Sequence, residues 1–146
     1  MTYSPFRTLG RMTDVTLAVS RLPAGQAWWL PDVRGIVLDD RLDQAGRRSA
    51  LEHEIQHVLA GDTCCKIGPD GGRQSRRQEL RADDRAASRL IDLDALAGAL
   101  LWCFDASELA EHLNVDQRTV RARLAGLSDA DKDYIDARMA ERENSA

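Results

Sequence analysis

The sequence predicts an α+β fold, in which a small antiparallel sheet of three strands packs on a helical bundle. Two observations predict it: apolar residues alternate with polar ones near the N-terminus, and they recur at intervals of three and four residues after position 45. The 146 residues are enough for one compact domain. A chain of this length can bury a core without disulfide bonds or a structural metal.

Three short strands are predicted before residue 40. Over residues 14–21, apolar side chains alternate with small or polar ones, which is typical of a half-buried strand. A Pro-Ala-Gly turn separates this strand from a second one at residues 26–30, and a third follows at residues 35–39. An antiparallel meander is the simplest arrangement of strands that lie so close together in sequence.

The remainder of the chain is predicted to be helical. The first helix spans residues 45–60, with Asp43 as its N-cap and Gly61 as its C-terminal stop. Its expected buried residues are Ala50, Leu51, Ile55, Val58 and Leu59. Further helices are predicted at residues 76–91, 93–104 and from 129 onward, with two short helices within 107–127. The expected buried residues of the helix at 76–91 are Leu80, Ala86, Ala87, Leu90 and Ile91.

Composition and charge exclude several classes of protein. The net charge of −4 lacks the overall basic character that non-specific nucleic-acid binding needs. The longest strongly apolar run, residues 96–104, is far shorter than the ~20 residues of a membrane helix. No secretory signal is visible, and three cysteines, two of them adjacent, do not form a disulfide pattern. We therefore expect a cytoplasmic protein.

The clearest chemical motif is H-E-x-x-H at residues 53–57, inside the first predicted helix. His53 and His57 are four residues apart, so they lie on one face of the helix and can converge on one zinc ion. Glu54 lies beside them, where a carboxylate can take a proton from an attacking water and pass it to a leaving amine. The alternative is an exposed helix face that carries these residues without binding metal.

Catalytic zinc usually has three protein ligands, so a third one is needed. Glu79 opens the second helix, and Asp83 lies one turn later on the same face. This spacing suits one ligating carboxylate and one acid that accepts the free ring N–H of a zinc-bound histidine. The spacing alone equally fits a solvated helix surface rich in arginine.

H-E-x-x-H followed by E-x-x-A-[ND] resembles the ImmA/IrrE family of gluzincin-like metallopeptidases. The matching residues are His53, Glu54, His57, Glu79, Ala82 and Asp83. The resemblance implies a zinc centre with His53, His57 and Glu79 as ligands, Glu54 as general base and Asp83 as a residue that orients a ligand. It also implies a cytoplasmic enzyme, often encoded by phages or mobile elements, that cleaves helix-turn-helix repressor proteins.

The resemblance divides the chain into a zincin-like metallopeptidase core, residues 1–104, and a helical C-terminal segment, residues 105–146. Two positions depart from the family pattern. Ile91-Asp92 stands where the family often has Met-Pro, and Arg81 stands where an acid is common. The expected activity is hydrolysis of a peptide bond in a protein substrate.

The C-terminal segment resembles a helix-turn-helix. Asn114 suits the turn, and Asp116 can cap the second helix. Arg118, Arg121 and Arg123 give that helix local positive charge, but nearby acids make the segment almost neutral. A structural or partner-recognition role is therefore favoured over specific DNA binding. The alternative function is a non-catalytic regulator that binds DNA or sequesters a repressor, with a structural or vestigial metal site.

Several other residues are weaker candidates. Cys64 and Cys65 are expected to be ordinary loop residues, although a nearby thiolate would suit zinc. The strand at residues 35–39 precedes the motif helix and is a candidate edge for pairing with an extended substrate, or else a plain core strand. Tyr3, Tyr134 and several arginines are candidates for stabilising an oxyanion, but no motif marks any of them.

Overall fold

The computed structural model describes residues 2–62 and 71–145. Within these residues the fold is α+β, as predicted, with seven α-helices and one three-stranded sheet. The predictions for Cys64 and Cys65 lie outside the described residues. Of the helices that are described, none is both long and apolar enough to cross a membrane.

The sheet is mixed, so the prediction of an antiparallel sheet is wrong. Its strands are β1 (Thr16–Ser20), β2 (Ala27–Leu30) and β3 (Gly35–Asp39), in the order β1-β3-β2. β1 runs parallel to β3, whereas β2 runs antiparallel to it. Residues 21–26 can reach about 20 Å, more than the ~10 Å between the outer strands, so β2 can pair on the far side of β3.

This topology makes β3 the central strand, so of its two alternative roles the core strand is correct and the edge for substrate pairing is wrong. Side-chain alternation sets which face of a strand is buried, but it does not set the order of the strands. In the described part of the chain, β2 pairs with β3 alone and forms one edge of the sheet. Trp28 and Trp29 of β2 point to opposite faces, and Trp29 belongs to the core with 6% of its surface exposed.

The motif helix, α2 (Gln44–Ala60), has the predicted ends. The Asp43 side chain accepts a hydrogen bond from the Gly46 amide, and Gly61 adopts the left-handed conformation that terminates the helix. The apolar face of α2 packs on the sheet through Leu51 and Ile55, which are fully buried. The burial predicted for Leu59 is wrong, because 62% of its surface is exposed.

The second helix, α3 (Gly71–Leu90), begins earlier than predicted. Ala86, Ala87 and Leu90 are buried as expected, but Leu80 is 63% exposed, and its predicted burial is wrong. The next helix, α4 (Leu93–Leu100), ends before the predicted residue 104.

The remaining helices complete the bundle, and they are α1 (Pro5–Arg11), α5 (Ala106–Leu113), α6 (Gln117–Ala125) and α7 (Asp129–Asn144). α7 packs on α4, and Ile135 of α7 is buried in the same core as Leu96. α5 and α6 join the same core through Leu109 and Val120, together with Val115 of the turn between them. Asn114 has a positive φ between them, as predicted for the turn.

A buried arginine ties the C-terminal helices to α2. The guanidinium of Arg48 donates hydrogen bonds to the carbonyls of Leu113 and Asn114 through one nitrogen. Its other terminal nitrogen donates to the carbonyls of Tyr3 and Leu90. Arg48 therefore fixes where α5 and α6 lie relative to the motif helix.

Candidate metal centre

Two helices supply the three predicted metal ligands. On α2, the Nε2 atoms of His53 and His57 are 3.0 Å apart. On α3, Glu79 faces both rings: its Oε2 lies 3.1 Å from His53 Nε2, and its Oε1 lies 3.1 Å from His57 Nε2. α2 and α3 pack along one another, which is how residues far apart in sequence meet.

The three side chains fit a tetrahedral divalent ion. Ligand bonds of about 2.0–2.1 Å place neighbouring ligand atoms roughly 3.3 Å apart at tetrahedral angles, close to the observed separations. Among the described side chains, this is the one group with metal-ligand geometry, and its ligand atoms all lie within 4.8 Å of one another. Two imidazoles and one carboxylate are a donor set that suits zinc.

Each histidine also bonds an aspartate through its second ring nitrogen. His53 Nδ1 lies 2.8 Å from Asp83 Oδ1, which is the role predicted for Asp83. His57 Nδ1 lies 2.8 Å from Asp62 Oδ2. When Nδ1 carries the proton, both Nε2 lone pairs are directed toward the common centre.

Sequence reasoning missed Asp62. It directly follows the helix-terminating Gly61, whose left-handed turn brings the chain back beside the last turn of α2. Trp29 of β2 donates its indole N–H to the Asp62 carbonyl at 3.2 Å, which holds this turn against the sheet. An acid immediately after the terminal glycine was the available signal.

Each of these aspartates also bonds an arginine through its other carboxylate oxygen. The Nη2 atom of Arg81 lies 2.7 Å from Asp62 Oδ1. The Nη2 atom of Arg118 lies 2.8 Å from Asp83 Oδ2. Arg81 is one of the two positions that depart from the pattern of the resembled family, and here its guanidinium bonds Asp62. Arg118 comes from α6, so the C-terminal helices reach the centre.

The carboxylates control the protonation of the histidines in the metal-free centre. Burial lowers the pKa of His53, but hydrogen bonds to Asp83 and Glu79 outweigh burial and raise that pKa to about 9. The pKa of His57 is also raised, because bonds to Glu79 and Asp62 outweigh burial. The hydrogen bonds from His53 and His57 hold the pKa of Glu79 well below its usual range.

Glu54 lies where two cavities meet. Its side chain is buried, with 7% of the residue exposed, and it lines both cavities. The larger, of about 550 Å³, runs from Gln26 beside β2 past His53 to Thr119 of α6. The smaller, of about 350 Å³, follows β2 and is lined by Trp28. An open, partly polar space therefore borders the three-ligand group and the outer strand β2 of the sheet.

No protein-family model matches this chain, and a search of the curated proteins finds no match either.

The two tyrosines considered for oxyanion stabilisation lie elsewhere. The Tyr3 hydroxyl donates to Glu52 at 2.6 Å, and the Tyr134 hydroxyl donates to Asp94 at 2.9 Å. Glu52 was also missed by sequence reasoning. It is completely buried on α2, where the Gln56 amide donates to it, so it belongs to the packing of the motif helix.

Metal binding is expected to weaken as the pH falls below about 9. His53 must lose its proton before Nε2 can bind an ion, and its pKa is about 9. A proton therefore competes with the ion at neutral pH, and the apparent affinity should fall about tenfold per pH unit below that pKa. Zinc titrations of the purified protein at several pH values measure this. An affinity that stays constant from pH ~6 to ~9 would contradict it.

The same pKa gives the metal-free protein the opposite dependence of stability on pH. Because the folded pKa of His53, about 9, lies above its unfolded value of 6.5, protonation of His53 stabilises the fold. That contribution is complete below pH 6.5 and is lost as the pH rises through about 9. Thermal unfolding of the metal-free protein, measured over this pH range, tests whether this contribution to stability is lost.

Proposed function

We propose that the protein is a zinc-dependent metallopeptidase that hydrolyses a peptide bond in a cytoplasmic protein, with a helix-turn-helix repressor as the candidate substrate. One observation carries the proposal: the ligand group of His53, His57 and Glu79 borders an open cavity, with Glu54 beside it. The H-E-x-x-H pattern and the downstream E-x-x-A-D pattern, from which the resemblance was drawn, contain these same residues.

Different residues of the chain have different roles in the proposed hydrolysis. His53, His57 and Glu79 would hold the ion, and Asp83 and Asp62 orient the two imidazoles. When bound, a zinc ion polarises a carbonyl and makes water easier to deprotonate. Glu54 lies at the cavity wall, where its carboxylate takes the proton of the attacking water and delivers it to the leaving amine.

The outer edge of β2 suits an extended substrate. Gln26 and Ala27 line the cavity that Glu54 also lines, and among the described residues β2 pairs with β3 alone. A peptide segment that adds to this edge by backbone hydrogen bonds would pass across the ligand group. β2 thus takes the substrate-pairing role, which was one of two alternatives for the strand at Gly35–Asp39.

The alternative of a DNA-binding regulator has less support. Of the three arginines on α6, Arg118 bonds Asp83 at the metal centre, and buried Arg123 donates to the Ile91 carbonyl at 2.8 Å. Arg121 hydrogen-bonds Gln117 of its own helix. Two of the three positive charges that could contact phosphate are therefore engaged within the protein.

Proteolysis can be tested without knowledge of the natural substrate. The zinc-loaded protein is incubated with a peptide library digested from unfolded cytoplasmic proteins, and new termini are found by mass spectrometry. We expect cleavage that a chelator abolishes and that added zinc restores. A zinc-loaded protein that cuts no peptide, yet forms a stable complex with an uncut repressor, would favour the sequestering alternative.

A further inference from the structure

The second helix of the C-terminal pair reaches the metal centre through one side chain. α6 packs on α3, and Arg118, in the first turn of α6, extends to the acids of α3. Its Nε and Nη2 atoms lie 3.2 and 2.8 Å from Asp83 Oδ2. Its Nη2 atom also lies 3.6 Å from Glu79 Oε2. Arg118 therefore contacts the acid behind one histidine and lies close to the carboxylate ligand itself.

Asp83 divides its two oxygens between two partners. Oδ1 lies 2.8 Å from His53 Nδ1, and Oδ2 accepts both hydrogen bonds from Arg118. Rotation of the carboxylate would break its bonds to both partners, so the guanidinium fixes the plane in which Oδ1 meets the imidazole. Both bonds from Arg118 are charge-assisted, and such bonds are stronger than those between neutral groups.

The same order of groups occurs at the second histidine. Arg81 bonds one oxygen of Asp62, and the other oxygen bonds His57 Nδ1. Each imidazole of the centre is thus backed by an aspartate, and each aspartate by an arginine. Two independent occurrences, one using α3 and one using α6, argue that the arrangement serves the histidines and is not a chance surface ion pair.

We propose that Arg118 is a positioning residue of the metal centre: it locks Asp83, and through Asp83 it holds His53 in the orientation that binds the ion. The inference rests on the proposed function, since it concerns the same metal. The C-terminal helix pair then contributes to metal binding, because α6 supplies the arginine that positions Asp83.

The guanidinium has a second effect of opposite sign. A positive charge near Glu79 repels a bound cation, so removing Arg118 relieves repulsion while it also frees Asp83. The repulsion does not depend on the identity of residue 83, whereas positioning requires the Asp83 carboxylate. A double-mutant cycle between Arg118 and Asp83 therefore separates the two effects.

The experiment measures the zinc affinity of the full-length protein by competition with a chromophoric chelator. Asp83→Asn should weaken binding ~10–100-fold, as loss of such a partner typically does. Arg118→Gln, one contact further from the ion, should weaken it by about 3–10-fold on the same scale. In the Asp83→Asn background, Arg118→Gln should cause no loss, or a slight gain from relieved repulsion. Arg118→Lys keeps the charge and one donor, and it should recover part of the loss.

Arg121→Gln is the matched control, because it removes the same charge one turn along α6 and should not weaken zinc binding. Thermal unfolding of each metal-free variant distinguishes positioning from a purely structural role. A purely structural role would lower stability, and its effect on zinc affinity would not be coupled to Asp83. If Arg118→Gln changes zinc affinity equally in the two backgrounds, the role of Arg118 is overturned and the proposed function still stands. A wild-type protein that binds no zinc would overturn both.

Discussion

Replacing Glu54 with glutamine is expected to reduce peptide cleavage by ~10²–10⁴-fold, the range that general base catalysis typically supplies. Glutamine keeps the size and hydrogen-bonding capacity of the side chain but cannot accept the proton of an attacking water. Glu54 is not one of the three ligand residues, so the Glu54→Gln protein should fold, keep its metal and still bind substrate. Cleavage rates on a peptide found with the wild type, together with metal content, provide the measurement.

Glu111→Gln is the matched control for this variant. Glu111 is exposed on α5, so the same chemical change there should leave cleavage unchanged. Cleavage by the Glu54→Gln protein at the wild-type rate would remove Glu54 from the mechanism. A loss of cleavage accompanied by a loss of metal would instead place Glu54 among the groups that hold the ion.

The second large effect is expected from the ligands. A protein that carries both His53→Ala and His57→Ala should bind no zinc, because one carboxylate remains of the three converging donors. Metal content per chain should therefore fall from one equivalent to none. Elemental analysis of purified, dialysed protein measures this, and circular dichroism shows whether the helices persist.

His112→Ala is the corresponding control, since His112 is the third histidine of the chain and lies exposed on α5. It should retain a full equivalent of zinc. Equal metal content in the double variant and the wild type would show that the ion binds elsewhere.

Local signals explain what the sequence could predict. The ends of α2 follow from the capping chemistry of Asp43 and Gly61, and each operates within a few residues of the chain. The helical spacing of His53 and His57 likewise places both imidazoles on one face. The assignment of Glu79 came from the resemblance, and the structure places that side chain 3.1 Å from both rings.

What the sequence could not predict depends on contacts between distant segments. The position of β2 on the far side of β3 is set by how the connection crosses the sheet, which alternation does not encode. Arg118 meets Asp83 across 35 residues of chain, because α6 packs on α3. Neither contact leaves a local pattern that a single sequence displays.

Burial was mispredicted where helices carry polar groups inward. α2 buries Glu52, Glu54 and His57, while Leu59 near its end faces outward. An apolar residue at helical spacing was expected to mark the core, but one face of α2 carries the candidate metal ligands and the Glu52 hydrogen bonds. Buried polar side chains have displaced the usual hydrophobic pattern at these positions.

The metal centre is the claim on which the others depend, and X-ray absorption by the zinc-loaded protein tests it most directly. We predict one zinc with two imidazole nitrogens and carboxylate oxygen at about 2.0–2.2 Å, and no sulfur in the coordination sphere. The contradicting result is a spectrum with sulfur at ~2.3 Å, which would place the metal on cysteine thiolates instead of on His53, His57 and Glu79.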